Sequence, residues 1–161
     1  MRHVALIPAE GNILDIACGR GRHLRALRGR GQLLVGIDID LSTVADLRDA
    51  PGIELHALDI ERDDAELPDA QYAGIIVTNY LCRPLLPRLA DHLSPGGALI
   101  VETFAAGNEA FGKPSNPDYL LEADELLNIF TPLLRIEAFE QGYTDTPKPA
   151  IMQRICAIRT V

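Results

Sequence analysis

The chain has 161 residues, 47% of them hydrophobic and 24% charged, proportions of a soluble globular protein rather than a disordered or fibrous one. No apolar run approaches the roughly 18 residues that a membrane span needs, and a net charge of -8, from 15 basic and 23 acidic side chains, argues against broad affinity for the phosphate backbone of nucleic acid. The three cysteines show no CxxC spacing, and the first residues, MRHVALIPAEG, are interrupted by Pro8 and Glu10, which is not the pattern of a secretory signal; one domain over residues 1–161 in a reducing cytoplasm is expected.

Short apolar runs alternate with segments of helical spacing, and there is no internal repeat or low-complexity linker. Asn12 to Cys18, Leu33 to Ile39, Ile53 to Ile60, Ala73 to Asn79 and Ala98 to Phe104 read as strands. Several are apolar on both faces, as a central strand of a parallel sheet must be when crossover helices cover both of its sides. Between them, RHLRALRG carries Leu24 and Leu27 at helical spacing, and STVADLRDA opens on Ser42 as an expected N-cap and stops at Pro51-Gly52. PLLPRLADHLSPGG supplies Leu85, Leu86, Leu89 and Leu93 to a further helix before its own Pro-Gly stop. The acidic stretch ERDDAELPDAQ is a poor helix, so that crossover is expected to be a loop or a single turn. The alternation implies a doubly wound α/β domain.

After Phe104 the pattern changes. AAGNEAFGKPSNPDY, rich in Gly, Pro and Asn, reads as a loop, and Glu122 to Phe130 as a helix with acids in its first turn. LRIEAFEQGY and IMQRICAIRT are strand-like and joined by only TDTPKPA. So short a connection cannot make a parallel crossover, and the two should form an antiparallel pair at one edge of the sheet.

In an open α/β sheet, ligands bind beyond the carboxyl ends of the strands at the point where strand order reverses. The first strand ends there in NILDIACGRGRHL. Gly19 and Gly21 would let the chain turn tightly, and the helix after Gly21 would direct free N–H groups at an anion. A dinucleotide fingerprint needs a third glycine, but that position is Leu24; a ligand needing only a carboxylate seat fits a GxG equally well. Asp38 and Asp59 end the second and third strands on the same rim. A carboxylate at the first of these tips can accept both hydroxyls of a ribose, and one at the second can accept from an adenine amino group.

Taken in order, ILDIACGRG, VGIDID, ALDIE, YAGIIVTNYL and HLSPGGALIVETF resemble the motifs of the class I S-adenosylmethionine-dependent methyltransferases over residues 12–104. Within them, NYLCRPLLPRL and FGKPSNPDYLLEADELL resemble a small bacterial group of tellurite-resistance type. The resemblance implies a seven-stranded, mostly parallel Rossmann-like sheet with an antiparallel C-terminal pair, S-adenosyl-L-methionine as cofactor and S-adenosyl-L-homocysteine as product. Carried over by position, it places Asp15, Ala17, Gly19 and Gly21 along the methionyl end, Asp38 on the ribose, Ile39 beside the adenine, Asp59 and Ile60 at its edge, and Asn79 with Tyr80 near the methyl. Ala17 stands where the family usually has its first glycine, a change that calls for negative φ, and Ala73 where it often has an acid. Only 11 residues precede the first strand, so the cover helices usual in the family are expected to be largely missing, with the site open or covered by a partner.

No residue stands out as a general base. Tyr80, Arg83, Glu102, Lys113 and Asn116 are candidates for substrate contact, since they follow strand ends or sit in the long loop. Each reading has a plainer one beside it. Asp15 could fix the glycine turn by bonding to backbone, and Asp38 could be a turn-forming Asp. Cys18, Cys82 and Cys156 read as small core residues, and His3, His23, His56 and His92 lack ligand spacing, so no metal is expected. Arg20, Arg22, Arg25, Arg28 and Arg30 read as a solvated helix face rather than an RNA-binding patch. Leu81, Leu85 and Leu86 read as core, and Asn79-Tyr80, which resembles the Asn-Pro-Pro-Tyr motif of nucleic-acid amino methyltransferases but lacks both of its prolines, argues against methylation of amino bases. A methyltransferase acting on a small molecule is the preferred reading. A nicotinamide-dependent oxidoreductase and a noncatalytic binding module are its alternatives, and a homodimer stays open.

Overall fold

The computed structural model describes residues 2–62 and 64–160. Its strands are β1 (Asn12–Ile16), β2 (Leu34–Asp38), β3 (Ile53–Ala57), β4 (Tyr72–Thr78), β5 (Leu93–Phe104), β6 (Arg135–Thr144) and β7 (Ala150–Ile158). They form a seven-stranded sheet in the order β3-β2-β1-β4-β5-β7-β6. The first five are parallel to one another, and β7 runs antiparallel between β5 and β6. The expected C-terminal pair therefore forms, with β6 as the edge and β7 inside.

Burial on both faces of the central strands follows their composition. Leu14, Ile16, Ile75, Val77, Leu99 and Val101 join one core layer with Leu85, Leu86, Leu89 and Phe130. Ile13, Ile76 and Ile100 join the other with Leu24, Leu27, Val44 and Leu47. No helix among the described residues is long and apolar enough to cross a membrane.

The helices are shorter than the sequence spacing predicts. The helix α1 spans only Arg22–Leu27, because Arg28–Arg30 tightens into a 3-10 turn that ends on Gly31 at φ 79°. The segment expected to be capped by Ser42 is a 3-10 stretch, Ser42–Leu47, kinked at the β-branched Val44. Asp40 rather than Ser42 provides the side-chain acceptor, taking the Ser42 N–H at 2.8 Å. The leucine-rich segment forms only a 3-10 turn, Leu86–Ala90, with a proline near its start. Pro87 supplies no N–H to an α-helical ladder. Leu93, expected in that helix, instead begins β5 opposite Tyr72. Among the described residues between β3 and β4 there is no helix, in line with the expectation from the acidic composition.

Beyond β5 the expected loop contains two short 3-10 turns, Asn108–Ala110 and Pro117–Tyr119. The helix α2 covers Glu125–Phe130 and starts three residues later than expected, after Asp124 in a left-handed conformation. The buried Gln153 of β7 holds it down, accepting the Leu126 N–H at 3.1 Å and donating to the Glu122 carbonyl. Leu126 and Phe130, four apart, are both fully buried beneath it.

Gly21 shows what the close approach of α1 demands. It lies at φ 67°, and a Cβ there would come within 2.8 Å of Val44 Cγ1 and 3.0 Å of Leu47 Cδ1. Gly19, at φ 51°, meets nothing nearer than the Ala17 carbonyl at 3.9 Å. Gly21→Ala is expected to lower the unfolding free energy by about 2 to 4 kcal/mol, combining left-handed strain with overpacking, and Gly19→Ala by only about 1 to 2 kcal/mol from strain alone. Urea denaturation of both variants checks the difference.

Candidate functional site

The order reverses at β1, which pairs in parallel with β2 on one side and β4 on the other. The two chain continuations leave in opposite directions and a cleft opens above the strand tips. At the tip of β1 the chain turns left-handed at Ala17, φ 53°. The negative φ that would have made this alanine innocuous is not adopted. The next strand over repeats the device with Asn79 at φ 55°, where an Asn is better tolerated.

Asp38 ties the rim together. Its Oδ2 accepts the Gly19 N–H at 2.8 Å and its Oδ1 accepts the Asp40 N–H at 3.1 Å, while Thr43 Oγ1 donates to the Gly19 carbonyl at 2.9 Å. The turn-forming reading of Asp38 therefore holds, and the same side chain lines a cavity. Each carboxylate oxygen keeps a second lone-pair site for a hydroxyl donor. Asp59 repeats the pattern at the tip of β3, accepting the Glu61 N–H at 3.1 Å.

A cavity of about 410 Å³ lies against these tips, lined among others by Ala17, Asp38, Ile39, Asp59, Ile60 and Tyr80. Ile39, 69% exposed, presents an apolar side chain to this cavity. A second cavity of about 220 Å³ continues past Tyr80 and Glu61 to Asn79, Phe104, Pro114 and Tyr119. Tyr80 Oη donates to Glu61 Oε1 at 3.2 Å. Burial, reinforced by Cys82 and Glu61, pushes the phenol above its ordinary range, so Tyr80 stays a hydrogen-bond donor at neutral pH.

Asp15 is placed differently. It is buried below the turn and makes no bond to the glycine backbone; its Oδ1 faces His23 Nδ1 at 3.2 Å. His23 Nε2 in turn lies 3.1 Å from Arg22 Nη2. Since the guanidinium only donates, this chain assigns the ring proton to Nδ1. Asp15 Oδ2 is buried without a partner among the described residues. Burial raises the Asp15 pKa, opposed by the His23 hydrogen bond and charge and by Arg22. Burial, with Asp15 and Asp38 adding to it, also pushes the Cys18 thiol up to about 12, so Cys18 is an inert core group. Cys156 is buried too, whereas Cys82 is only half-buried.

The substrate candidates separate. Tyr80 stands between the two cavities. Arg83 holds Glu125 through two bonds of 2.7 and 3.0 Å and the carbonyls of Asp118 and Leu120 at 2.7 and 2.8 Å, which engages its guanidinium in pinning the loop to α2. Glu102 accepts from Arg154 at 2.6 Å on the α1 side of the sheet. Asn116 caps Pro117–Tyr119 by accepting the Asp118 N–H, and Lys113 is exposed beside Pro114. Arg20, Arg22, Arg25 and Arg28 are exposed, as a solvated face requires, and on it Arg25 clamps Asp46 at 2.7 and 2.9 Å; Arg30 is half-buried and reaches Gln32 and the Ile7 carbonyl. The sequence reading missed Leu58, Glu61 and Arg62 of the first cavity, though their place directly around Asp59 could have flagged them. It also missed the buried Asp15–His23 pair, whose eight-residue separation carries no local signal. Among the described residues, no cluster of three or more His, Cys, Asp or Glu could hold a metal ion.

The methyltransferase domain family matches residues 13–97, more than half of the chain. A curated relative, the dTDP-4-amino-2,3,4,6-tetradeoxy-D-glucose N,N-dimethyltransferase of Saccharopolyspora spinosa, is 28% identical over an alignment of 103 positions that covers 60% of this chain and 41% of that protein. This chain thus spans well under half of that relative. Among solved structures, an S-adenosylmethionine dependent methyltransferase from Mesorhizobium loti superposes with a TM-score of 0.74 at 19% identity, covering 96% of this chain and 94% of the other. A TehB-like S-adenosylmethionine dependent methyltransferase from Corynebacterium glutamicum gives 0.67 at 19% identity, covering 97% and 84%; likeness at this level is to the fold and does not single out the tellurite-resistance group. The chain belongs to the methyltransferase domain family, with the sheet of the class I S-adenosylmethionine-dependent enzymes.

Because burial raises the Asp15 pKa, this group's stabilising contribution is full below its ordinary value of 3.8 and is lost as pH rises through the raised folded value. Asp15→Asn removes that titration. The unfolding free energy of the variant minus that of the wild type should therefore increase with pH from about 3.8 upward and then level off, as followed by urea denaturation across a pH series. Carboxylates with lowered pKa values, such as the Arg25-bound Asp46, cancel in the difference.

Proposed function

We propose that this chain transfers the methyl group of S-adenosylmethionine to a small-molecule acceptor, with residues 1–161 working as one domain in the cytoplasm. The observation that carries the reading is that Asp38 and Asp59 line one cavity with the exposed Ile39. The residues present fit an adenosyl group: Asp38 offers acceptor sites for ribose hydroxyls, Ile39 and Ile60 offer apolar faces for the base, and Asp59 offers an acceptor for the amino group. Asp15, Ala17, Gly19, Gly21 and Asn79 are assigned to the methionyl side. Ala17 and Asn79 offer close backbone approach at adjoining strand tips, whereas Gly21 acts through its packing against Val44 and Leu47. When bound, S-adenosylmethionine supplies a methyl group activated by a positive sulfur.

The protein's task is alignment and exclusion of water, effects that reach roughly 7 to 11 kcal/mol in favourable intramolecular reactions. Asn79 and Tyr80 follow the tip of β4, Tyr80 lining both cavities and Asn79 the second, where the acceptor would meet the methyl, and the Tyr80 hydroxyl, whose one proton goes to Glu61 Oε1, can accept a hydrogen bond there. The small-molecule class is supported by the curated relative, which is named for dimethylating an amino sugar nucleotide. The nicotinamide alternative is disfavoured, since Leu24, at the position of the third fingerprint glycine, is buried in the core at 1% exposure.

Isothermal titration with S-adenosylhomocysteine tests the reading. The wild type should bind it, NAD should give no comparable heat, and Asp38→Ala should weaken binding by about ten- to a hundred-fold, the loss of a charged acceptor worth roughly 1.5 to 3 kcal/mol. Absence of binding, or an unchanged affinity in a folded Asp38→Ala, overturns it.

A further inference from the structure

Beyond Asn79 the rim carries two more cavities, on the α1 side of the sheet. The smaller, about 80 Å³, is lined among others by Arg22, Asn79, Phe104, Lys148 and Met152. The larger, about 330 Å³, shares Arg22, Glu102, Thr146 and Arg154 with it. Asn79 and Phe104 also line the cavity beside Tyr80, so these spaces continue from the place assigned to methyl transfer.

The charge here runs against that of the protein, whose net value is -8. Across β5, β7 and β6, Arg154 lies directly opposite both Glu102 and Glu140. It meets their carboxylates at 2.6 and 3.7 Å, and Glu140 also takes Arg2 at 2.6 Å. Two carboxylates thus balance two guanidiniums. Arg22 and Lys148 form no ion pair with a carboxylate among the described residues. Asp145, near them in the β6–β7 connection, accepts from Thr146 Oγ1 at 3.0 Å. Arg22 is also aimed: His23, itself held on the buried Asp15, accepts from its Nη2 at 3.1 Å. Phe104 and Met152, cross-strand neighbours on β5 and β7, line the same cavity and offer it an apolar wall.

We propose that these two cavities seat the methyl acceptor and that the acceptor carries an anionic oxygen group, a carboxylate or a phosphate, received by Arg22 and Lys148 with its apolar part against Phe104 and Met152. The proposal rests on the methyltransferase reading. An acceptor of this kind would meet fixed positive charge beside a strand tip where little charge of its own sign is unmatched, which favours the anion over a neutral isostere.

The test begins with S-adenosylhomocysteine alone, whose failure to bind would remove the methyltransferase reading itself. With the protein saturated by it, benzoate, phenyl phosphate and benzyl alcohol are titrated and followed by NMR. At least one anion should bind about ten-fold more tightly than benzyl alcohol, as expected for a charge-assisted contact, and Lys148→Glu should weaken that anion by about ten-fold or more without altering S-adenosylhomocysteine affinity. The tighter anion identifies the group. Arg22→Ala should weaken the same anion. Equal binding of all three probes, no anion binding, or Lys148→Glu without effect overturns the proposal. So does an Arg22→Ala variant that loses S-adenosylhomocysteine affinity but keeps the anion, because that result gives Arg22 to the cofactor's own carboxylate. Lys148 is exposed, so its replacement leaves the core untouched.

Discussion

Everything in the upper half of this molecule depends on β1 being paired in parallel on both sides, to β2 and to β4. Parallel pairing on both flanks puts the tips of β1, β2, β3, β4 and β5 on one rim, and the reversal of order at β1 leaves the space above its tip unroofed. The chain must then turn sharply to reach α1. It does so through left-handed residues at Ala17, Gly19 and Gly21, and the Asp38 carboxylate, by accepting from Gly19, fastens that turn to the neighbouring strand. A single side chain thus stabilises the turn and faces the cavity.

The crossovers are reduced to little more than single turns, yet both faces of the sheet are covered. Leucines make this workable. Leu85, Leu86 and Leu89 on one face and Leu24, Leu27 and Leu47 on the other are nearly completely buried, so each short segment contributes apolar area even where proline or a β-branched residue prevents a full α-helix. Burial of this kind is roughly proportional to area and indifferent to regular geometry, which is why a 3-10 turn can replace a helix as a cover.

The rim is electrically divided. On the β2–β3 side stand Asp38, Asp59 and Glu61, with Arg62 held by Asp64; on the other, beyond Asn79 and Tyr80, stand Arg22 and Lys148, with Arg154 matched by Glu102. Carboxylate acceptors suit hydroxyl and amino donors, and guanidinium and ammonium groups suit anionic oxygens. The two ends of the rim therefore offer different chemistry, with Tyr80, whose hydroxyl donates to Glu61, between them.

The sequence alone determined the strand order's class, the antiparallel closing pair and the acidic tips of β2 and β3. Those features are written in period and position: apolar runs of strand length, a connection too short for a crossover, and an Asp where each run ends. It could not determine helix length, because propensity is weak against proline at Pro87 or a kink at Val44, nor the φ of Ala17, which the route to α1 imposes. The partnership of Asp15 with His23, the engagement of Arg83 by Glu125, and the convergence of Arg22 with Lys148 from opposite ends of the chain were decided only by tertiary structure. The reason is the same in each case: a hydrogen bond or a local excess of charge depends on distances between residues far apart in sequence, and only the packed sheet sets those distances.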